Sequence, residues 1–339
     1  MREQSRRVQL VAGAVGIALV AGLIGFLVSR PESPLVPVTP TPLTTVGGVL
    51  PPATAGYSVA DDLATHQVVV FGGIADNQAT WIWNGSRWNL AQPETSPPGR
   101  IDAATAYDPA LHLVLLFGGH GPPGTDLRDT WAWGGASWRE LDAGAGAPPP
   151  SDAVMAWDPA QSDMVLVAGA PTGASTGTWI WSGARWTRAA SGLPFPPSNA
   201  SLAFDPSSGQ LLAAGFPPSG TTVAASTQLW GWAGVSWHEI SVSETNPPKA
   251  LAVQGLGWNP ASRRITLFGV GASRARALET WLWDGAAWEQ SPSDNSLILS
   301  GSIVSSETLL LLVGALDENG VVPTSIKVWM WSPDAWTAA

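Results

Sequence analysis

Apolar residues follow two different patterns along this chain. Residues 8–28 form one uncharged, mostly apolar run of 21 residues, whereas beyond residue 53 the apolar residues come in short stretches separated by Gly, Pro, Asn and Asp. At about 1.5 Å per residue, a helix over the first run is long enough to cross a hydrocarbon layer of about 30 Å. The short stretches are typical of β-strands joined by turns. The pattern therefore predicts one transmembrane anchor followed by an all-β domain.

Charges beside the apolar run predict its orientation. Arg2, Arg6 and Arg7 precede it and Arg30 is the nearest cation after it, so the positive-inside rule places residues 1–7 in the cytoplasm as a basic tail and the rest outside. We expect a single-pass protein of the cell membrane with an extracytoplasmic domain. A cleaved signal peptide is the alternative, but its apolar region is usually about 7 to 15 residues long and ends in a small-x-small site, which residues 27–30 lack.

Residues 29–52 predict a stalk between the anchor and the domain. Seven prolines lie between Pro31 and Pro52, together with several threonines. This composition favours extended polyproline II structure and cannot bury a core.

Tryptophan marks a repeat that fills the rest of the chain. The pattern Trp-x-Trp followed five residues later by a third Trp occurs six times and accounts for 18 of the 20 tryptophans. An apolar run that closes on glycine precedes each triplet, as at Gly72 and Gly118. Regular spacing of this kind indicates a solenoid, a propeller or another repeat array. The 18 residues are Trp81, Trp83, Trp88, Trp131, Trp133, Trp138, Trp179, Trp181, Trp186, Trp230, Trp232, Trp237, Trp281, Trp283, Trp288, Trp329, Trp331 and Trp336.

Each repeat predicts four short strands. The first ends at a turn such as Asp108-Pro109, the second is the apolar run, the third is the Trp-x-Trp segment, and the fourth carries the last Trp. A dipeptide such as Asn84-Gly85 favours a two-residue hairpin between strands three and four. That turn would place Trp81 opposite Trp88 and put all three indoles of a repeat on one face.

Six such sheets predict a six-bladed β-propeller, because a sheet cannot bury a face of indoles alone but can pack it on the next blade. The triplet tryptophans are therefore expected to form the core between blades. Trp157 and Trp258 fall at the end of strand one, where we align Tyr57, Tyr107 and Phe204, and are expected to be core as well. The predicted blades span residues 53–92, 98–143, 149–190, 196–241, 248–291 and 296–339.

The repeat resembles the kelch repeat, the propeller family that includes the central domain of galactose oxidase. The second unit carries this resemblance best, with Pro98-Gly99-Arg100, then Phe117-Gly118-Gly119, then Thr130-Trp131-Ala132-Trp133, and finally Trp138. The resemblance covers residues 53–339 and implies a kelch-type, six-bladed propeller. The sixth unit matches least well, because Ser305-Ser306 stands where other units have Asp-Pro or Asn-Pro. Its short fourth strand is expected to need help from residues 43–50.

Composition excludes several kinds of chemistry. The chain has no cysteine, a net charge of −10 and only two lysines, which excludes disulfides and thiolate metal sites and argues against nucleic-acid binding. The copper chemistry of galactose oxidase needs a cysteine-crosslinked tyrosine and is excluded too. No histidine pair has metal-ligand spacing, and no calcium or phosphate loop occurs. We therefore predict no metal and no cofactor.

Loop lengths point to one end of the ring as the recognition surface. The strand 2–3 loops, which share one end of the ring with the strand 4–1 loops, vary in length, whereas the strand 1–2 and 3–4 turns at the opposite end are short and uniform. Variable loops on a rigid scaffold often bind ligands, so we expect the strand 2–3 and 4–1 loops to form the ligand face. Polar candidates in these loops are His120, Asp126, Arg128, Asp129, Arg274, Arg276, Glu279, Asp317, Glu318 and Asn319. A second set at strand-one starts could ring the channel mouth at that same end: Arg100, Asp102, Asp152 and Asn199.

Three functions remain open from the sequence. We expect first a membrane-anchored binding or interaction module without catalysis, whose protein or glycan partner is unknown. The alternatives are a carbohydrate-active enzyme, such as the sugar isomerases among kelch-like propellers, and a structural envelope component. An enzyme predicts that Arg100, Asp102 and Asp152 converge in one pocket that holds a carboxylate with a perturbed pKa. A structural component predicts a broad apolar patch instead.

Overall fold

A computed structural model describes most of the repeat region. The described residues are 45–47, 49–75, 78–122, 124–142, 144, 146–149, 152–169, 176–216, 226–242, 248–249, 252–271, 278–291, 297–306, 308–317, 323–332 and 335–339. The predicted tail, the anchor at 8–28 and most of the predicted stalk lie outside these residues. In the described part, no helix has both the length and the apolar character needed to cross a membrane. Val36–Ala339 forms one compact unit.

The described strands build six antiparallel sheets, with a small hairpin between the second and third strands of the second sheet. Blade 1 contains β1 Thr45–Gly47, β2 Tyr57–Asp62, β3 Gln67–Gly72, β4 Thr80–Trp83 and β5 Trp88–Ala91. Blade 2 contains β6 Ala104–Asp108, β7 Leu113–Phe117, the hairpin of β8 His120–Gly121 and β9 Thr125–Asp126, β10 Thr130–Trp133 and β11 Trp138–Asp142. Blade 3 contains β12 Ala153–Asp158, β13 Asp163–Ala168, β14 Gly177–Trp181 and β15 Trp186–Ser191.

The other three blades repeat this order. Blade 4 follows a short 3-10 helix, Pro197–Asn199, and contains β16 Ala200–Asp205, β17 Gln210–Gly215, β18 Gln228–Trp232 and β19 Trp237–Ile240. Blade 5 contains β20 Ala252–Asn259, β21 Arg264–Val270, β22 Leu278–Trp283 and β23 Trp288–Gln290. Blade 6 contains β24 Leu297–Ser305, β25 Leu310–Asp317, β26 Lys327–Ser332 and β27 Ala335–Ala338.

The first strands of the blades form a closed ring. β2, β6, β12, β16, β20 and β24 contact one another in that order, and β24 contacts β2 again. The all-β, six-bladed propeller predicted from the tryptophan repeat is therefore confirmed. Because strands alternate in direction within a blade, the strand 1–2 and 3–4 turns lie at one end of the ring, and the strand 2–3 loops lie at the other.

Indoles of each blade pack on apolar strands of the preceding blade. Trp131, Trp133 and Trp138 share a buried cluster with Val69 and Phe71 of blade 1, and blade 1 in turn presents its own triplet to blade 6. Fifteen triplet tryptophans are buried, and Trp230, Trp237 and Trp336 are partly buried. Burial of apolar area on this scale is the main driving force for closing the ring.

The register of the third and fourth strands differs from the predicted one. Trp83 pairs with Trp88, whereas Trp81 pairs with Leu90, so the expectation that Trp81 faces Trp88 was wrong. The cause is a four-residue turn, centred one residue later than predicted, in which the amide of Asn84 donates to Arg87 O (3.3 Å) and Gly85 has a φ of +89°. Asn84 Oδ1 also accepts from the amides of Ser86 (3.2 Å) and Arg87 (3.0 Å). In all six blades the second and third tryptophans of the triplet pair in this way, with ring centroids 4.9 to 5.5 Å apart.

A repeated hydrogen bond also links neighbouring blades. The indole N–H of the fourth-strand tryptophan donates to a threonine that begins the Trp-x-Trp segment of the preceding blade. The four described pairs are Trp138 Nε1 to Thr80 Oγ1 (2.9 Å), Trp186 to Thr130 (3.0 Å), Trp237 to Thr178 (2.9 Å) and Trp336 to Thr280 (3.2 Å). Blade 4 has Leu229 at this position, and Trp288 Nε1 of blade 5 is buried without a hydrogen-bond partner.

Ring closure uses residues near the start of the domain, but not as predicted. β1 pairs with β5 at the outer edge of blade 1. The fourth strand of blade 6 is β27, which directly follows β26 in sequence and pairs with it. The expectation that residues 43–50 complete blade 6 was therefore wrong. The link to blade 6 lies slightly later, where the amide of Ala53 donates to Thr324 O (3.0 Å) and the amide of Ile326 donates to Pro51 O (2.9 Å).

Candidate functional site

The turns between the first and second strands are short, so the ends of the inner strands around the axis are not covered by the loops that follow them. At the end of β6, Asp108 Oδ1 accepts from the amides of Ala110 (2.8 Å) and Leu111 (3.1 Å). Asp62, Asp158, Asp205 and Asn259 make equivalent bonds in four other blades. A short polar side chain that caps the turn in this way keeps the loop compact. Among the described residues, no long loop therefore covers the axial channel at this end.

An axial cavity of about 470 Å³ lies between the six inner strands. Its lining comes from the second halves of these strands and the turns that follow them, so it lies at the end with short, uniform turns. This is the end opposite to the one where the sequence predicted recognition. In blade 6, Ser306 takes the place of the capping Asp or Asn. In every blade the residue just before this position lines the cavity: Asp61, Tyr107, Trp157, Phe204, Trp258 and Ser305.

This ring of lining residues is aromatic on one side and polar on the other. Tyr107, Trp157, Phe204 and Trp258 come from four consecutive blades and are all half-buried. Asp61 and Ser305 come from the adjacent blades 1 and 6. Asp61, and not Tyr57, is the blade 1 counterpart of the aromatic residues, so our alignment of Tyr57 with them was wrong. Tyr57 begins β2, and its hydroxyl donates to Val313 O (3.1 Å).

The cavity lining carries little charge. Its residues include no Lys, Arg or His, and Asp61 is the one carboxylate among them. Hydroxyl groups, at Thr105, Tyr107, Ser305 and Ser306, supply the other polar side chains. An apolar, aromatic wall with a few polar groups is the usual composition of a small-molecule site.

Three acidic residues and one histidine lie together at the opposite end: Asp102, His120, Asp126 and Asp152, which we call the His120 group. His120 Nδ1 lies 2.7 Å from Asp126 Oδ1, and His120 Nε2 lies 3.4 Å from Asp152 Oδ1. Partial burial lowers the pKa of His120, but the hydrogen bonds and charges of the two aspartates outweigh it and leave that pKa above its ordinary value. Burial raises the pKa of Asp102; the charge of His120 opposes this shift and that of Asp152 adds to it.

Arg100 does not join this group. Its side chain is buried, and it forms a bidentate ion pair with Asp129, Nη1 to Oδ1 at 2.7 Å and Nη2 to Oδ2 at 2.8 Å. It also donates to Gly118 O (2.8 Å) and Pro98 O (3.0 Å). Burial raises the pKa of Asp129, but the bonds and charge of Arg100, with the indole of Trp131, outweigh it and hold that pKa below its usual range. Both side chains hold the blade together, and Arg100 is not available to a ligand.

The remaining candidates are scattered. Arg128 is exposed beside Gly144, and Asn199 ends the 3-10 helix without a hydrogen bond to the His120 group. Glu279 Oε2 accepts from the indole of Trp281 (3.0 Å), and Asp317 ends β25. Arg274, Arg276, Glu318 and Asn319 lie outside the described residues. Over the described ranges, no three His, Asp or Glu side chains are grouped as metal ligands.

The sequence could have indicated the axial site. The residue before each Asp-Pro or Asn-Pro dipeptide is aromatic in blades 2 to 5, and strand one is innermost in a propeller. Their place in the strand predicts core residues, because alternation within a single strand does not distinguish a packed interior from the wall of a cavity.

Comparisons with known structures show the same fold. The structure of YjhT superposes with a TM-score of 0.59 at 14% identity, covering 86% of this chain and 99% of YjhT. SapL1 lectin, solved with alpha methyl fucoside, gives a TM-score of 0.57 at 15% identity over 86% of this chain and 96% of its own. AofleA from Arthrobotrys oligospora gives 0.57 at 13% identity, with 87% of each chain covered.

Sequence comparisons add no family. No protein-family model and no curated protein matches the chain. At identities near 14% the structural likeness shows the fold alone. The chain is therefore similar to six-bladed propellers that include fucose-binding lectins.

Proposed function

We propose that this chain is a carbohydrate-binding module that holds a sugar in the axial cavity, on a kelch-type propeller anchored to the outside of the cell membrane by residues 8–28. The arc formed by Tyr107, Trp157, Phe204 and Trp258 carries the proposal. Sugars present an apolar C–H face and a hydroxyl edge, and this cavity offers aromatic faces opposite Asp61 and Ser305.

The dimensions of the cavity agree with this function. A volume of about 470 Å³ falls within the range of roughly 300–1,000 Å³ that small-molecule sites occupy. Support also comes from propellers of similar fold, since SapL1 was solved with alpha methyl fucoside and the Aleuria aurantia lectin with Fucα1-6GlcNAc.

A second candidate function rests on the His120 group. Asp102, His120 and Asp152 converge, and the pKa values of Asp102 and His120 are raised, which supports a carbohydrate-active enzyme acting at the variable-loop end. The buried state of Arg100 weakens this candidate, because the predicted arginine is not available to a substrate.

Binding measurements on two sets of variants distinguish the candidates. We expect the full chain to bind a subset of neutral glycans on an array, and Trp157→Ala to weaken that binding at least tenfold through loss of an aromatic wall. Asp152→Asn, at the opposite end, should leave binding within twofold. Val235→Ala, which changes an exposed residue at the same end as the cavity, is the surface control. Loss of binding in Asp152→Asn alone would favour the enzyme, and absence of any glycan binding would reject the proposed function.

A further inference from the structure

A second cavity adjoins the axial one. It has a volume of about 240 Å³, lies between blades 1 and 6, and shares Asp61, Leu63 and Ser306 with the axial cavity. Its outer wall includes His66 and Thr308. Because three residues line both spaces, the two cavities are neighbours at the polar side of the axial ring.

The chemistry of this cleft continues that of the axial cavity. Trp83 and Met330 give it an apolar floor, while His66, Ser306 and Thr308 place polar side chains along its walls. Leu309, at the rim, is exposed, with 41% of its surface accessible. An apolar floor with polar walls again suits a sugar ring.

Among the described residues, neither cavity is lined by a lysine or an arginine that could balance an anionic ligand. Asp61 lines both spaces and is the one carboxylate side chain among the described lining residues. The chain as a whole carries a net charge of −10. An acidic sugar would lose hydration of its carboxylate and meet Asp61 without gaining a counter-ion.

From these contacts we infer that the axial cavity and the cleft are two subsites of one groove, joined at Asp61, and that its ligand is a neutral oligosaccharide of at least two sugar units. This inference rests on the proposed function and specifies its ligand. One unit packs on the aromatic arc, and the next extends outward between blades 1 and 6 along Ser306 and Thr308.

Calorimetry on the full chain tests the two subsites separately. The probes are methyl glycosides of neutral sugars, each paired with a disaccharide that carries the same sugar at its non-reducing end, beginning with methyl α-L-fucoside and Fucα1-6GlcNAc. We expect the disaccharide of the recognised sugar to bind at least tenfold more tightly than the methyl glycoside. Thr308→Trp, which fills the cleft from an exposed position, should remove this gain and leave methyl glycoside affinity unchanged.

Other variants separate the possible failures. Trp157→Ala should weaken both probes, and Val235→Trp, which adds the same bulk at the same end of the ring, should change neither. A gain that survives in Thr308→Trp, equal affinity for both probes, or binding of N-acetylneuraminic acid overturns the inference while the proposed function stands. If no probe and no array glycan binds, the proposed function itself fails, and the inference with it.

Discussion

The turn between the first two strands of a blade holds one residue in the left-handed region of the backbone. His66, His112 and Arg263 have φ near +55°, and Gly209 occupies the same position in blade 4 with φ of +69°. Side chains with a Cβ are strained in this region, whereas glycine is not. The histidines that recur in two blades therefore mark a turn position and carry no shared chemistry.

Exchanging glycine at this position should change stability through the backbone alone. A Cβ at Gly209 would meet no atom within 4 Å, so we expect Gly209→Ala to lower the free energy of unfolding by about 1 kcal/mol. Arg263→Gly should raise it by up to about 1 kcal/mol, with part of the gain offset by unfolded-chain entropy. Urea unfolding measures both. The strain argument fails if the two substitutions shift stability in the same direction.

Asp102 should make stability depend on pH. Its pKa is raised in the folded state, chiefly by burial, so its contribution to stability is complete below the unfolded pKa of about 3.9 and is lost as pH rises through the folded value. At pH 7 the charged group therefore destabilises the fold. Asp102→Asn should raise the melting temperature at pH 7 by about 1–2 °C, because part of the side chain remains in contact with solvent, which reduces the effect.

The control variant is Asp126→Asn, which should lower the melting temperature, whereas Asp102→Asn should raise it. Asp126 hydrogen-bonds His120, whose pKa is raised in the folded state, so the pair contributes stability below about pH 6.5 that is lost as pH rises through the folded pKa of His120. Asp126→Asn should therefore destabilise most at pH 5–6. A melting temperature for Asp102→Asn that equals that of the unchanged protein from pH 4 to 8 would contradict the first prediction.

The threonine before Trp-x-Trp links the third strand of its own blade to the fourth strand of the next blade. Thr130 Oγ1 accepts from Trp186 Nε1 at 3.0 Å, and both side chains are buried. Thr130→Val keeps the shape but leaves the indole N–H without an acceptor, which should lower the free energy of unfolding by about 1–3 kcal/mol. Thr130→Ser keeps the hydroxyl and should cost less than Thr130→Val. Equal losses in the two variants would show that the hydrogen bond contributes nothing.

At the level of the element, the sequence predicted the strands better than their pairing. The Trp-x-Trp period and the Asp-Pro turns are local signals, and each corresponds to a described strand or turn. Register depends on the length of the turn, which has four residues and is closed in blade 1 by the amide of Asn84 donating to Arg87 O. Gly134 and Ala233, which have no side-chain acceptor, begin turns with the same backbone bond. A dipeptide such as Asn84-Gly85 indicates a hairpin but does not show whether the turn contains two residues or four.

At the level of the whole molecule, the sequence predicted the number of blades but not the end that holds the cavity. Loop length varies at one end of the ring, and for that reason the sequence predicts the recognition surface there. The axial cavity instead requires inner-strand side chains from all six blades to face one another. The aromatic residues that precede the Asp-Pro and Asn-Pro turns can be found in the sequence, but no local pattern shows that they and Asp61 line one cavity around the axis.

Closure of the ring joins the first and last blades through a buried hydroxyl. Tyr57 of blade 1 donates to Val313 O of blade 6 at 3.1 Å, across 256 residues of sequence. Tyr57→Phe should lower the free energy of unfolding by about 1 kcal/mol, because it removes a buried hydrogen bond at the contact that closes the ring. The chain's only other tyrosine, Tyr107, gives a matched control, since its hydroxyl makes an exposed 3.4 Å contact with His112. Tyr107→Phe should change stability by less than about 0.5 kcal/mol, and equal effects of the two substitutions in urea unfolding would show that closure does not depend on this bond.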